Sequence, residues 1–208
     1  MTDISWMLFL MASLAVILTP GQDLFLVMSR SISQGVSAGV MTAAGVSSGL
    51  LVHTLLAAVG VGAVVQASEW LFNTMKIVGA TYLVYLGISL LRAGSSTLFS
   101  AETKPRPLFR LFVDGAVSNI ANPKIAIFFF AFLPQFLSPG AKNPTLLIFI
   151  LGMGFALLTM LVKGTVAFFS GQLSGGFRHK PVYLKSLYRV SGVVLVALGV
   201  RLLLEKQK

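Results

Sequence analysis

Six apolar segments, separated by short polar loops, take up most of this chain. They run roughly over residues 4–27, 38–65, 71–91, 111–133, 145–169 and 187–204. About 20 apolar residues carry an α-helix across the hydrocarbon core of a bilayer. Charged residues make up only 11% of the 208, whereas a soluble domain carries about 25%. Too few charges remain to cover a globular surface. The expected fold is therefore all-α and integral to a membrane, with six transmembrane helices in a single membrane domain over residues 1–208.

The net charge of +10 needs no nucleic-acid partner, because most of the Lys and Arg residues fall in loops that flank apolar segments. The chain has no cysteine, which excludes disulfides and thiolate metal sites. The apolar run at 4–18 follows Met1-Thr2-Asp3, which carries no basic side chain, and no small-residue cleavage site comes after it. It reads as a retained first span rather than a signal peptide.

Two of the six segments are interrupted by proline beside polar residues: T-P-G-Q-D at 19–23 and N-x-x-N-P-K at 119–124. They open the first and the second set of three spans. The third spans also agree, with Val78, Leu83, Val84, Leu86, Gly87, Leu90 and Leu91 matching Val190, Leu195, Val196, Leu198, Gly199, Leu202 and Leu203 at a constant offset. The chain thus divides into a repeat at about 1–92, a linker at about 93–110 and a second repeat at about 111–208. Three is an odd number of spans, so the halves have opposite orientations. Two inverted three-helix repeats with broken first and fourth helices form a transporter architecture. Gly35/Gly39 and Gly45/Gly49 are G-x-x-x-G pairs, and Gly79/Gly87 and Gly192/Gly199 lie about two turns apart. Most of these glycines read as helix-packing positions. Nine basic residues fall between spans 1–2, 3–4 and 5–6, against four on the other side. This places the termini outside and the linker in the cytoplasm.

An ionisable residue deep in a span is costly and marks a functional site by default. Asp23, His53, Lys76, Asp114, Lys124 and Lys163 qualify for scrutiny. Pro20 cannot donate a backbone hydrogen bond, so the Val16 carbonyl loses its helical partner, and Gly21 lets the chain bend. The new half-helix begins with a partial positive charge suited to a carboxylate. Asp23 then binds a substrate ammonium or carries a proton, or merely caps the half-helix. Pro123 likewise frees the carbonyl of Asn119. Asn119 and Asn122 share a helix face, and their amides offer donors and acceptors to a zwitterion. Lys124 either holds a carboxylate, pairs with Asp23, or snorkels to an interface. His53 is a proton relay or a packing residue bonded to a nearby carbonyl. Lys76 and Asp114 lie close to loops and are expected to snorkel, and for Lys163, which is deeper, a place facing the cavity is left open.

Enzyme and cofactor motifs are missing: there is no H-E-x-x-H and no G-x-G-x-x-G. Ser48 and His53 are five apart and point to different helix faces, which does not suit a serine nucleophile and its base. No enzyme activity, cofactor or metal is expected.

T-P-G-Q-D, the S-x-x-x-G-x-x-A-G that ends at Gly39, His53, the K-x-x-G-A-x-Y-L-x-Y-L-G from Lys76 to Gly87 and the N-x-x-N-P-K-x-x-x-F-F-x-x-F-L-P-Q-F from Asn119 to Phe136 resemble the LysE/RhtB family of amino-acid exporters. The resemblance covers nearly the whole chain. It implies export of amino acids or close derivatives from the bacterial cytoplasmic (inner) membrane, driven by proton exchange. Family members typically read T-P-G-P-D. Gln22 stands where the second proline is expected, which predicts a less kinked first break.

The reading that follows is a proton antiporter. Its substrate sits between the broken helices against Gln22, Asp23, His53, Asn119, Asn122 and Lys124. Pro20, Gly21 and Pro123 make the breaks, and Asp23 couples the proton. The partners are an amino acid, protons and the lipid bilayer, and association of several copies is left open. A channel or a membrane-embedded assembly factor is the alternative, although an assembly factor has no reason to place two polar breaks at equivalent positions.

Overall fold

The computed structural model of this protein describes residues 4–61, 63, 69–92, 105–138, 141–172 and 181–204. Most of the proposed linker and the basic residues Lys104, Arg178, Lys180, Lys206 and Lys208 lie outside the described residues.

Among the described residues the secondary structure is helical, apart from one isolated bridge between Ile4 and Leu137. The helices are α1 (Trp6–Leu18), α2 (Gln22–Gln34), α3 (Val36–Leu56), α4 (Glu69–Arg92), α5 (Leu108–Ile120), α6 (Pro123–Ile127), α7 (Pro144–Gln172) and α8 (Pro181–Leu204). A wide π turn extends α3 to Val61, and π and 3-10 turns extend α6 to Phe136. Among the described residues, two unbroken helices, Val36–Val61 and Pro144–Gln172, are long and apolar enough to cross a membrane. Two bent pairs meet the same test, α1 with α2 at 58° and α5 with Pro123–Phe136 at 53°. The first bend is thus no shallower than the second. The missing second proline has not straightened it, because Pro20 alone removes the donor that a continuous helix needs.

The two bent pairs run antiparallel along their length. At one end Ser5 N donates to Phe136 O at 2.8 Å. At the other, Arg30 lies 3.6 Å from Asp114, and Gln34 Nε2 donates to Arg106 O at 3.1 Å. Between α1 and the extended α6 the core is aromatic: Phe9, Phe128, Phe129, Phe136 and Phe155 are buried, and the Phe128 and Phe155 rings lie 4.8 Å apart. Lipid is as apolar as these rings, so close packing rather than water exclusion holds them.

Small residues set the helix approaches. A Cβ on Gly45 would collide with the Phe112 carbonyl, so α3 and α5 touch backbone to backbone. A Cβ on Gly87 would lie 2.7 Å from Gly192 O, which brings α4 equally close to α8. Gly35 differs from its reading as a packing residue. It has φ 89 and nothing near its Cβ position. It marks the boundary between α2 and α3, a left-handed conformation that glycine adopts without strain.

Candidate functional site

The site grows out of the two breaks. α1 ends at Leu18, Pro20 offers no N–H, and Gly21 is fully extended (φ -175) before α2 starts. The Val16 carbonyl, stripped of its partner by Pro20, accepts from Lys124 Nζ at 3.3 Å. The Thr19 carbonyl accepts from the same ammonium at 3.3 Å. At the second break Asn122 caps α6, its Oδ1 accepting from Lys124 N at 3.1 Å. The freed Asn119 carbonyl accepts from Asn122 N at 2.9 Å and lies 3.1 Å from His53 Nε2 on α3. A lysine thus satisfies one broken helix, and a local cap with a histidine satisfies the other.

Asp23 joins the two. It sits in the first turn of α2 and is 3% exposed. Its Oδ1 accepts from Ser118 Oγ at 3.0 Å. Its Oδ2 accepts from Asn119 Nδ2 at 2.8 Å and Asn122 Nδ2 at 3.1 Å, and it lies 3.5 Å from Lys163 Nζ on α7. All four partners stand on other helices or on the second break. Asp23 is therefore no local helix cap, and Gly21 occupies that position without a side chain. Gln22 Nε2 donates to Ser118 O at 2.8 Å and to Ser118 Oγ at 3.0 Å. A proline in its place could make neither bond.

Beside this core lies a cleft of about 200 Å³. Thr19, Pro20, Gly21 and Gln22 of the first break line it, with Asn122, Pro123 and Lys124 of the second. Tyr82, Leu86 and Leu90 of α4 and Leu195 of α8 complete its wall. Asp23 is one residue back from the cleft, reached through Gln22 and Asn122. Asn119 Oδ1 and His53 Nδ1 are buried with no hydrogen-bond partner among the described residues. Such atoms stand ready for water or a ligand.

Six residues singled out from the sequence, Gln22, Asp23, His53, Asn119, Asn122 and Lys124, gather at this one point. Lys124 and Asp23 share the site, but the cation within ion-pair distance of Asp23 is Lys163, which the sequence left undecided. Ser118 was missed: a lone serine one turn before Asn122 carries no signal of its own. Asp114 does not reach alone toward an interface, because Arg106 at 2.7 Å and Arg30 at 3.6 Å both pair with it. Lys76 is buried rather than extended to a boundary.

A helical membrane protein in which two proline-broken spans cross at a shared polar core, beside a small cleft, belongs to the class of membrane translocators. Residues 14–206 match the LysE type translocator family, and the chain belongs to it. It is 30% identical over 195 residues to the homoserine/homoserine lactone efflux protein of Salmonella typhimurium, covering 93% of each chain. It is 28% identical over 207 residues to the leucine efflux protein of Klebsiella pneumoniae, covering 96% of this chain and 94% of that one. An uncharacterized membrane protein of Pseudomonas aeruginosa is 31% identical over 192 residues, 90% of this chain and 89% of the other. No solved structure matches.

Proposed function

We propose that this protein is a secondary transporter that exports amino acids or close derivatives across the bacterial cytoplasmic membrane by proton antiport. The observation that carries the reading is the position of Asp23, a buried carboxylate after one break whose amide donors, Asn119 and Asn122, flank the other. Broken spans are costly in lipid and are tolerated where they line a cavity. Here both breaks line the same cleft.

An α-amino acid presents a carboxylate and an ammonium. The carboxylate goes to Lys124, whose acceptors are two backbone carbonyls, and to the first-turn amides of α2. The ammonium goes to Asp23, displacing donors that now hold it. Gln22, Asn122 and His53 supply the surrounding polar contacts. Asp23 alternates between substrate ammonium and a proton, which couples the two fluxes. The names of the relatives, homoserine and leucine efflux proteins, point to substrates with uncharged side chains.

Two inverted three-helix repeats within one domain suit this cycle. The antiparallel run of the bent pairs and the close approach of α4 to α8, the third spans of the two halves, support that arrangement. In the matching orientation the termini lie outside, and labelling of a Ser96→Cys variant by an impermeant reagent from outside contradicts it.

The test is purified protein in liposomes with an imposed pH difference and labelled L-homoserine or L-leucine. Accumulation against the substrate gradient that collapses with the pH difference is expected. Flux of the same size with and without the pH difference points instead to a channel.

A further inference from the structure

Lys163 is the ionisable residue of the polar core to which this mechanism gives no task. It lies well inside α7, a helix of 29 residues, and is 4% exposed. Its Nζ is 3.5 Å from Asp23 Oδ2. The elements packed against α7 offer it few other charges. From α2 come Asp23 and Arg30, and from α3 comes His53. α1 and the segments Ala57–Val61 and Leu133–Phe136 bring no titratable group. Lys124 on α6 is the second lysine of the core, held by the Val16 and Thr19 carbonyls. Among these groups Asp23 is the sole carboxylate.

We propose that Lys163 holds the transported proton: its ammonium occupies Asp23 in the empty site and is discharged when the ammonium of the substrate takes its place. The proposal rests on the transport reading above and refines it: the proton that alternates with substrate at Asp23 is carried there as the Lys163 ammonium rather than on the carboxylate itself. The argument is one of charge. The core holds one carboxylate, Asp23, and two lysines, Lys124 and Lys163. An arriving zwitterion sets its carboxylate on Lys124 and its ammonium on Asp23. If Lys163 kept its proton, two cations would then compete for one buried carboxylate. An ammonium without a counter-ion in an apolar site is far costlier than a neutral amine. The step is a proton transfer alone. An Nζ–H bond of Lys163 breaks and its electron pair stays on nitrogen. The proton passes by way of the Asp23 carboxylate to water in the cleft, which Asn122 borders. Substrate release on the other face leaves Asp23 without a cation, and Lys163 takes up a proton again from that side. One substrate thus moves against one proton.

Lysine gives up its proton when buried, whereas arginine keeps its charge. Lys163→Arg therefore preserves the ion pair and removes the discharge. The first experiment adds L-homoserine or L-leucine to the purified full chain in weakly buffered detergent with a pH indicator. The unmodified protein is expected to release protons on binding, and Lys163→Arg to release none. In liposomes Lys163→Arg is expected to accumulate no more amino acid than protein-free vesicles do. A Lys163→Arg protein that melts like the unmodified one and still releases protons, or accumulates substrate to the same level, overturns the proposal. Should the arginine variant not fold, Lys163→Gln decides. It is expected to exchange labelled for unlabelled amino acid across the membrane without pH-driven accumulation, and accumulation by it overturns the proposal. These results are distinct from failure of the transport reading, in which the unmodified protein itself accumulates neither amino acid and both ideas fall.

Discussion

The two breaks look alike in sequence and are held in different ways. The second, at Ala121 and Asn122, is largely self-sufficient. Asn122 caps α6, the Asn119 carbonyl accepts from Asn122 N, and His53 reaches it from α3. The helix leading into it, α5, lies backbone to backbone on α3 at Gly45. The first break has no cap of its own. Gly21 offers α2 no side chain, and the orphaned carbonyls of Val16 and Thr19 are satisfied by Lys124 from the other break. Asp23 likewise takes its partners from α5, from the second break and from α7. One break is thus a packed platform and the other is held by polar contacts that a zwitterion could replace. On this account the first break is the part that responds to substrate.

The platform should be the part most sensitive to bulk. Gly45→Val forces a side chain into the Phe112 carbonyl, whereas nothing lies within 4 Å of the Cβ position of Gly60 on the same continuous span. Overpacking costs about 1–3 kcal/mol, and more where backbone stands in the way, as here. Gly45→Val should strongly reduce folded yield in detergent, measured by size-exclusion profile, and Gly60→Val should not. Equal yields would show that α5 is free to shift and that the second break is no platform.

Lys124→Met should come next. It strips the Val16 and Thr19 carbonyls of their donor and removes the cation proposed to hold the substrate carboxylate. A hydrogen bond to a charged group contributes about 1.5–3 kcal/mol, so substrate affinity should fall by roughly tenfold to a hundredfold. Binding to the purified protein checks this. His53→Ala removes one surrounding contact of the substrate but leaves the second break capped by Asn122, and it should leave affinity within a few-fold. A reversed order would mean that the second break, not the first, receives the carboxylate.

Asn122→Ala should lower stability less than Gly45→Val does. Loss of an N-cap costs about 1 kcal/mol, which thermal melting in detergent detects. Because Asn122 also donates to Asp23, transport should fall more than stability does. If both fell in proportion, the asparagine would be a cap and nothing more.

The breaks themselves were legible in the sequence, because a proline inside an apolar run names the carbonyl it orphans: Val16 for Pro20, Asn119 for Pro123. The shared face of Asn119 and Asn122 was legible from their spacing alone. Lys163 was visible as a buried charge, but its partner was not. Whether it meets Asp23 depends on the rotation of α7 about its axis, and a helix that is apolar on every side gives no amphipathic stripe to set that rotation. Ser118 and the pairing of Asp114 with Arg30 were hidden because they follow from how α2 and α5 lie together, and the pairing with Arg106 because it depends on the path of the chain just before α5. Gly35 misled because a packing glycine and a helix-ending glycine have the same spacing in one dimension, and only its φ of 89 separates them.

The central claim is that the first break couples substrate to protons through Asp23. Asp23→Asn keeps the size of the side chain, removes its charge and turns one of its two accepting oxygens into a donor. Purified Asp23→Asn protein that elutes as one folded species from size exclusion, placed in liposomes and given only a pH difference, should accumulate neither L-homoserine nor L-leucine. Accumulation of either amino acid against its gradient by that variant would contradict the account and leave Asp23 a structural partner of the second break.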